Sequence, residues 1–338
     1  MNKRILYIGN KLTDFGYTPT GINFLGKLLV DNGYTVLFAG DKKNKIVRLL
    51  SIIKRIISYR NDYDIIIIDT YSTIAFYYSL IAAWVARILN KPYIPILRGG
   101  NLSNRLQRSP WLTRQVIMPA FRVVSVSQYL QQVFTKLRPI EYIPNFINLS
   151  KYPFKQRNTF LPRLLWVRSF HSIYNPQLAV KIVAALKRDY PTVSLTMIGP
   201  DKDGSRAGVE NLAEQLGVSE NIEITGKLSK EAWIGLAFHH DIFINTTNFD
   251  NMPVSVIEAM ALGLPVVSTN VGGIPYLIEH EVSGLLVQPD DCEAFCMAIK
   301  TLLLNHKNIL NIIENARLKS IEFGEYNVGA KWKGLLDF

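Results

Sequence analysis

Short apolar runs alternate with longer amphipathic stretches through the first half of the chain. The runs lie at residues 5–8, 35–39, 65–68, 93–97 and 123–126, and a polar, glycine-containing loop follows the first of them. A strand that is apolar at every position is buried on both faces, as in a parallel sheet covered by helices. The pattern predicts an α/β domain built on a parallel sheet.

The same alternation returns in the second half. Apolar strands are predicted at residues 163–167, 194–198, 222–224, 241–245 and 265–268, and a polar stretch at 148–162 with two prolines is the predicted linker. We therefore predict two doubly wound domains, residues 1–150 and 151–319. Ligands of such sheets bind at the carboxyl ends of the strands, so we expect a central cleft that both domains face. The C-terminal segment 320–338 is a candidate for rejoining the first domain.

One long apolar segment tests whether the chain crosses a membrane. Residues 71–89 are nearly free of charge and almost long enough to span a bilayer. The segment directly follows the buried-strand pattern that ends at Asp69, and Arg87 lies in its last turn. These features favour a core helix of the α/β domain over a membrane span.

Charge is distributed unevenly along the chain. The net charge is +11, but residues 1–150 hold 20 basic and 7 acidic side chains, whereas the remainder holds 18 and 20. This asymmetry indicates a polyanionic partner for the first half alone. No zinc-finger spacing or RNP-like aromatic motif accompanies the charge, so we expect an anionic membrane surface and no nucleic acid.

The most basic segment is Lys42–Arg60, with seven basic residues and no acidic one. Its apolar residues are predicted to share one helical face: Ile46, Leu49, Leu50, Ile53, Ile56 and Ile57. Lys45, Arg48 and Arg55 lie off that face. The segment is either a helix packed on the sheet with a solvated basic face or a helix lying on anionic lipid, and both can hold together.

The compartment is inferred from the N-terminus and the cysteines. The first residues read as a strand rather than as a signal peptide, and two cysteines cannot build a disulfide framework. We expect a cytoplasmic protein that associates peripherally with the inner face of the cell membrane.

Residues 245–278, NTTNFDNMPVSVIEAMALGLPVVSTNVGGIPYLI, are the most informative segment. Pro253 stands where a helix can begin, and Gly263 where it can end. The unpaired N–H groups at such a helix start form an anion site. Glu258 is an acid within an otherwise apolar helix. It is either a surface acid or a carboxylate that a pair of ribose hydroxyls would satisfy.

This segment resembles the donor-binding signature of the retaining glycosyltransferase family 4, which has the GT-B fold of two Rossmann-like domains. The family has two acids separated by seven residues, then EAMA-x-G-x-PVV and a GG turn. Here the acids are Asp250 and Glu258, and the turn is Gly272-Gly273. Weaker matches extend the likeness over most of the chain: VSVSQYL at 124–130, YIPNFIN at 142–148, LTMIG at 195–199 and ITG at 224–226.

The resemblance implies roles for particular residues. Glu258 is expected to bind the ribose hydroxyls, and Asp250 the donor sugar. The backbone expected around that sugar belongs to Asn251, Met252, Pro253 and Val254. The residues expected to flank the base are Gly199, Lys202, Gly226, Lys227 and Leu228.

The sequence departs from the family at two places. Asp250 stands where the family more often has Glu. Ser169 and Tyr174 replace the Arg and Lys that usually clamp the diphosphate. Arg168 is the candidate substitute cation, unless it pairs with a local acid. His171 is either a loop histidine or a ligand of donor or acceptor.

Two loops of the first domain are candidates for the same ligands. Gly16 or Gly21 could let the backbone approach the phosphates, and spacing does not decide between them. Arg98 and Asn101 belong to a strand-end loop that is either acceptor-side or a plain turn. No residue cluster has metal-ligand spacing, and no cofactor is expected beyond the nucleotide-sugar substrate.

Together these features predict a retaining, metal-independent glycosyltransferase. It would move a sugar from a nucleotide-diphosphate donor, UDP slightly favoured over GDP, to a glycan or glycolipid acceptor in cell-surface polysaccharide synthesis. The alternatives are a sugar-nucleotide epimerase of the same fold and a non-catalytic, membrane-associated glycosyltransferase partner.

Overall fold

The structure, a computed structural model, describes residues 3–157 and 159–337. These residues form two compact units. The first unit holds the chain up to Asn145 and again from Glu325 onward, and the second holds Phe146–Gly324. The chain thus leaves the first unit slightly before the predicted boundary at residue 150, and it returns within the segment 320–338.

The first unit is built on a six-stranded parallel sheet of order β2-β1-β3-β4-β5-β6. Its strands are β1 (Arg4–Ile8), β2 (Thr35–Ala39), β3 (Ile65–Thr70), β4 (Tyr93–Leu97), β5 (Val124–Ser125) and β6 (Glu141–Tyr142). The first five follow the predicted apolar runs. The sixth was not predicted, because two residues carry no periodic pattern.

Six helices connect these strands: α1 (Gly21–Asp31), α2 (Lys45–Ser58), α3 (Ala75–Ile88), α4 (Leu102–Arg108), α5 (Pro110–Ile117) and α6 (Gln128–Thr135). Helix α3 lies within the apolar segment 71–89. Its residues Phe76, Ala82, Ala83 and Ala86 are fully buried, so the prediction of a core helix is confirmed. Among the residues that the structure describes, no helix is long and apolar enough to cross a membrane.

Helix α2 turns a different face to the sheet from the one predicted. Ile52 and Ile56 are buried together with Arg48, whereas Ile46 is 70% exposed and Leu50 60% exposed. The alternative in which α2 packs on the sheet by its predicted apolar face and solvates its basic face was therefore wrong, because Arg48 is buried and Ile46 and Leu50 are exposed.

The buried arginine explains the rotation of α2. The Arg48 guanidinium donates to the Lys42 carbonyl at 2.6 Å, to the Lys43 carbonyl at 3.0 Å and to Asn10 Oδ1 at 2.8 Å. A buried cation is tolerated when acceptors satisfy it. Arg48 therefore takes an inward position, and the apolar residues at 46 and 50 face outward.

The second unit is also a six-stranded parallel sheet, of order β12-β11-β10-β7-β8-β9. Its strands are β7 (Arg163–Val167), β8 (Ser194–Ile198), β9 (Ile222–Gly226), β10 (Ile242–Asn245), β11 (Val266–Thr269) and β12 (Leu285–Val287). Its helices are α7 (Pro176–Leu186), α8 (Ser205–Gln215), α9 (Lys230–Ala237), α10 (Val254–Ala261), α11 (Cys292–Leu304) and α12 (His306–Ile321). Two parallel sheets with flanking helices confirm the predicted α/β class.

The last helix, α13 (Glu325–Leu336), belongs to the first unit. It packs beside α1 and buries Val328, Trp332 and Leu336. The Tyr34 hydroxyl donates to Asp337 Oδ1 at 2.8 Å. These contacts fasten the end of the chain to the unit in which the chain begins.

Replacing Trp332 with Ala should destabilise the first unit by about 3–5 kcal/mol, because Trp332 is only 3% exposed and its loss leaves a cavity. Trp111→Ala is the matched control. Trp111 is 63% exposed, so its loss should change stability by about 0.5 kcal/mol or less. Urea unfolding followed by circular dichroism measures both variants. Equal, small effects would show that α13 contributes little to this unit.

Candidate functional site

Most of the predicted donor-side residues lie at one edge of the second sheet. Arg168 follows β7, Gly199 follows β8, and Gly226 ends β9. The loop at residues 250–253 joins β10 to α10, and the Gly272-Gly273 turn follows β11. Because parallel strands end at a common edge, these five segments meet at the carboxyl edge of the sheet.

Glycines allow the backbones of these loops to touch. A Cβ on Gly273 would lie 1.8 Å from the Asn251 carbonyl oxygen, and one on Gly272 would lie 2.2 Å from that of Asp250. The Gly273 N–H donates to the Asp250 carbonyl at 2.8 Å. Gly272 has a φ of +57°, which side chains rarely adopt. The GG turn therefore fixes the position of the loop that carries Asp250.

Arg168 is paired with an acid, and that acid is Asp250. The Arg168 guanidinium donates through Nη2 to Asp250 Oδ2, while Oδ1 accepts from the Met252 N–H at 2.9 Å. The guanidinium also lies 4.8 Å from the centre of the Tyr174 ring. Tyr174, at the position where the family has Lys, is thus a stacking partner, and burial raises the pKa of its hydroxyl.

Several buried polar atoms at this edge have no hydrogen-bond partner in the described part of the chain. Among them are Arg168 Nε and Ser255 Oγ, in the first turn of α10. Buried polar groups are usually paired, so each unpaired one calls for an explanation. Arg168 contacts the loop at 250–253 through its ion pair with Asp250. Ser255 lies two residues after the end of that loop. Sequence reasoning missed Ser255, since a serine at a helix start is usually a cap.

Glu258 is buried inside α10, with 2% of its surface exposed. Its Oε1 accepts from the Tyr152 hydroxyl at 2.6 Å and from the Lys230 ammonium. Neither bond uses Oε2. The pKa of Tyr152 is raised, mainly by burial and to a smaller extent by the negative charge of Glu258. The interpretation of Glu258 as a surface acid was wrong.

Neither partner of Glu258 was predicted. Tyr152 lies in the predicted linker, 106 residues before Glu258 in the sequence. Lys230 opens α9, where its side chain is half exposed and its ammonium lies 5.5 Å from the centre of the Trp233 ring. No local pattern signals such contacts, because they depend on how separate elements pack.

The other predicted residues of the second unit lie in loops that follow β7, β8 and β9. His171 Nδ1 accepts from the Ile173 N–H at 3.1 Å and caps a short 3₁₀ turn. This contact is typical of a loop histidine, and a role of His171 in binding donor or acceptor stays a prediction. Lys202 and Lys227 have exposed side chains, and Leu228 is partly buried. Among residues 3–157 and 159–337, no group of three His, Cys, Asp or Glu side chains could hold a metal ion.

In the first unit, Arg98 lies in a buried cluster rather than in an exposed loop. It donates to Asp69 Oδ1 at 2.5 Å, to Asn145 Oδ1 at 2.8 Å and to the Tyr7 hydroxyl at 3.1 Å. Burial alone would lower the pKa of Arg98, but Asp69, Tyr7 and Tyr71 together raise it. The side chain is only 9% exposed. Arg98 therefore has a structural role that the sequence did not reveal.

The Arg98 side chain leaves no room for a Cβ at position 21, which explains the glycine there. A Cβ at Gly21, the first residue of α1, would lie 2.2 Å from Arg98 Cζ. Gly16 ends a short 3₁₀ turn with a φ of +78° and has open space around it. Asn101 is exposed next to α4 and accepts from Asn104 Nδ2 at 2.5 Å. Nothing in this arrangement selects Gly16 or Gly21 as the phosphate-side glycine.

Comparisons with known proteins bear on both units. Residues 153–319 match the family model described as Glycosyl transferases group 1. An uncharacterized glycosyltransferase of Haemophilus influenzae is 26% identical over 46% of this chain and 44% of its own. The amylovoran biosynthesis glycosyltransferase AmsK of Erwinia amylovora is 39% identical over 23% of this chain and 20% of its own. The chain thus aligns with less than half the length of either relative.

Solved structures resemble the chain over nearly its whole length. The crystal structure of Anabaena Alr3699/HepE in complex with UDP has a TM-score of 0.79 and 16% identity, with 99% of each chain covered. At that identity the likeness shows the fold alone. The chain has the GT-B fold, and just under half of it, residues 153–319, matches the glycosyl transferases group 1 model.

Proposed function

We propose that this protein is a retaining glycosyltransferase of family 4. It would transfer a sugar from a nucleotide-diphosphate donor, with UDP slightly favoured over GDP, without a metal ion. The acceptor would be a glycan or glycolipid in cell-surface polysaccharide synthesis. One observation carries the proposal: Arg168, Asp250 and the start of α10, with Glu258 buried one turn further, meet at one sheet edge.

The relatives support the class of substrate. Anabaena Alr3699/HepE was solved with UDP, and AmsK is named for amylovoran biosynthesis. A nucleoside diphosphate fits the chemistry of this edge, because it offers a dianion to the cation and helix start, and hydroxyls to the carboxylates. Retention of configuration rests on the resemblance to family 4.

The donor's phosphates would bind between Arg168 and the first turn of α10. Arg168 Nε and Ser255 Oγ are both unpaired in the described chain, and a phosphate oxygen can accept from each. The positive end of the helix dipole favours the same charge. Once donor binding has turned Arg168 from Asp250 to the phosphates, these groups would be in place before the leaving diphosphate forms, which is the condition for electrostatic stabilisation of a transition state.

The nucleoside and the sugar would be held by the two acids. Glu258 Oε2 is free of the bonds that Tyr152 and Lys230 make to Oε1, so it can accept from a ribose hydroxyl. Asp250 would contact the donor sugar once Arg168 turns to the phosphates. The base would lie between the segments at 199–202 and 226–228.

The activity is tested by incubating the purified protein with UDP- and GDP-sugars, with and without a bacterial lipid and glycan extract. The proposal requires nucleoside diphosphate release that depends on the extract. Free sugar and nucleotide without any acceptor would identify the epimerase instead. No turnover of any donor with any extract would contradict the assignment as a transferase.

Glu258→Ala should weaken donor nucleotide binding about 10–150-fold, because a charge-assisted hydrogen bond contributes roughly 1.5–3 kcal/mol. Glu258→Gln keeps the volume and the Tyr152 contact, and so separates lost charge from lost packing. Glu210→Gln, an exposed acid on α8, is the control and should bind like the wild type. Calorimetric titration measures all three. Unchanged affinity in both Glu258 variants would rule out the ribose role.

Arg168→Met should weaken UDP binding about 10–150-fold and UMP binding far less, since it removes a charge-assisted bond to the diphosphate. Asp250→Asn should retain or raise UDP affinity, because it releases Arg168 from its ion pair, while sugar transfer falls. Equal losses for UDP and UMP in Arg168→Met would contradict the phosphate role.

Gly273→Ala should displace the loop at 250–253 and lower both donor affinity and thermal stability, because its Cβ has no room beside the Asn251 carbonyl. Gly235→Ala is the matched control within α9, where a Cβ meets no atom within 4 Å. That change should leave binding intact and stabilise by up to about 1 kcal/mol. A Gly273→Ala protein with normal donor binding would show that the GG turn does not position the site.

A further inference from the structure

Three helices on one face of the first sheet form a continuous outer layer. α2, α3 and α5 share one hydrophobic core with the strands beneath them. Tyr78 of α3 donates to the Lys45 carbonyl of α2 at 3.2 Å, and Arg87 of α3 donates to Gln115 of α5 at 3.1 Å. The helices therefore lie side by side. We call their outer side the three-helix surface.

This surface exposes large apolar side chains in rows. Ile46 and Leu50 of α2 are 70% and 60% exposed, and Trp84 and Ile88 of α3 are 37% and 79% exposed. In each pair the residues are four apart, so they are neighbours on the same side of the helix. Trp111 of α5 adds a further exposed ring. A single exposed apolar residue is ordinary, but rows on adjacent helices mark an interaction surface.

The same layer contains no carboxylate. Residues 42–61 and 70–140 hold 16 Lys and Arg and not one Asp or Glu, so α2 to α6 are entirely without acids. Lys54, Arg87 and Arg114 are exposed beside the apolar rows. Arg55 of α2 pairs with Asp41 at 2.9 Å, and Arg98 pairs with Asp69. Lys54, Arg87 and Arg114 have no carboxylate partner among the described residues, so their positive charge is available on the outer side.

We propose that the three-helix surface binds an anionic lipid bilayer. Its Lys and Arg side chains would contact the headgroup phosphates, and the apolar rows would enter the acyl boundary. Trp84 and Trp111 would lie at the headgroup level, where indole rings concentrate. Nucleic acid would satisfy the charges but leave the aliphatic rows in water, whereas an anionic bilayer satisfies both. The membrane-binding surface predicted at Lys42–Arg60 thus also includes α3 and α5. Its lipid binding does not depend on the donor chemistry.

The proposal is tested by flotation with vesicles of phosphatidylcholine alone and of phosphatidylcholine mixed with phosphatidylglycerol. The wild type should float only with the mixed vesicles, and less as salt rises. Leu50→Gln with Trp84→Gln should lower partitioning at least about tenfold. Lys54→Gln should lower it about fivefold, since one basic residue near such a surface contributes roughly 1 kcal/mol. All three side chains are partly or fully exposed, so folding should be unaffected.

Matched controls lie in the second unit. Leu304→Gln removes an apolar residue that is 75% exposed, and Lys181→Gln removes an exposed lysine of α7. Neither should change flotation. Glu258→Ala should also float normally, which separates membrane binding from donor binding. Equal binding to neutral vesicles, equal losses in the controls, or binding of an RNA oligonucleotide without vesicle binding would each overturn the proposal.

Discussion

A carboxylate buried in an apolar helix constrains how the elements of the second unit pack around it. Glu258 is buried inside α10, and a buried carboxylate without partners destabilises a protein strongly. Tyr152 and Lys230 satisfy one oxygen from two different elements. These two hydrogen bonds join the start of the second unit and α9 to α10. They leave Oε2 of Glu258 for another donor.

The rest of the site follows the same principle. Asp250 neutralises Arg168, and the Tyr174 ring lies against its guanidinium. A nucleoside diphosphate would exchange one acceptor for another at Arg168 rather than bring a new charge into a bare pocket. The backbone contact between the GG turn and residues 250–251 fixes the backbone of the loop that carries Asp250.

The sequence predicted what depends on local pattern. The first five strands of each sheet and the helix between Pro253 and Gly263 follow from apolar runs and from residues that start or stop helices. What it could not predict depends on packing between distant segments. The inward turn of Arg48, the cluster around Arg98 and the partners of Glu258 all join elements far apart in the chain. The sequence around an arginine does not show whether distant segments supply hydrogen-bond acceptors for its side chain.

The most direct measurement is a crystal structure of the protein with the nucleoside diphosphate that it binds best. The account predicts the diphosphate between Arg168 and the first turn of α10, with Ser255 Oγ within hydrogen-bond distance of a phosphate oxygen. It also predicts a ribose hydroxyl on Glu258 Oε2 and an open Arg168–Asp250 pair. A nucleotide bound elsewhere, or one bound here while Arg168 still pairs with Asp250, would contradict the central claim.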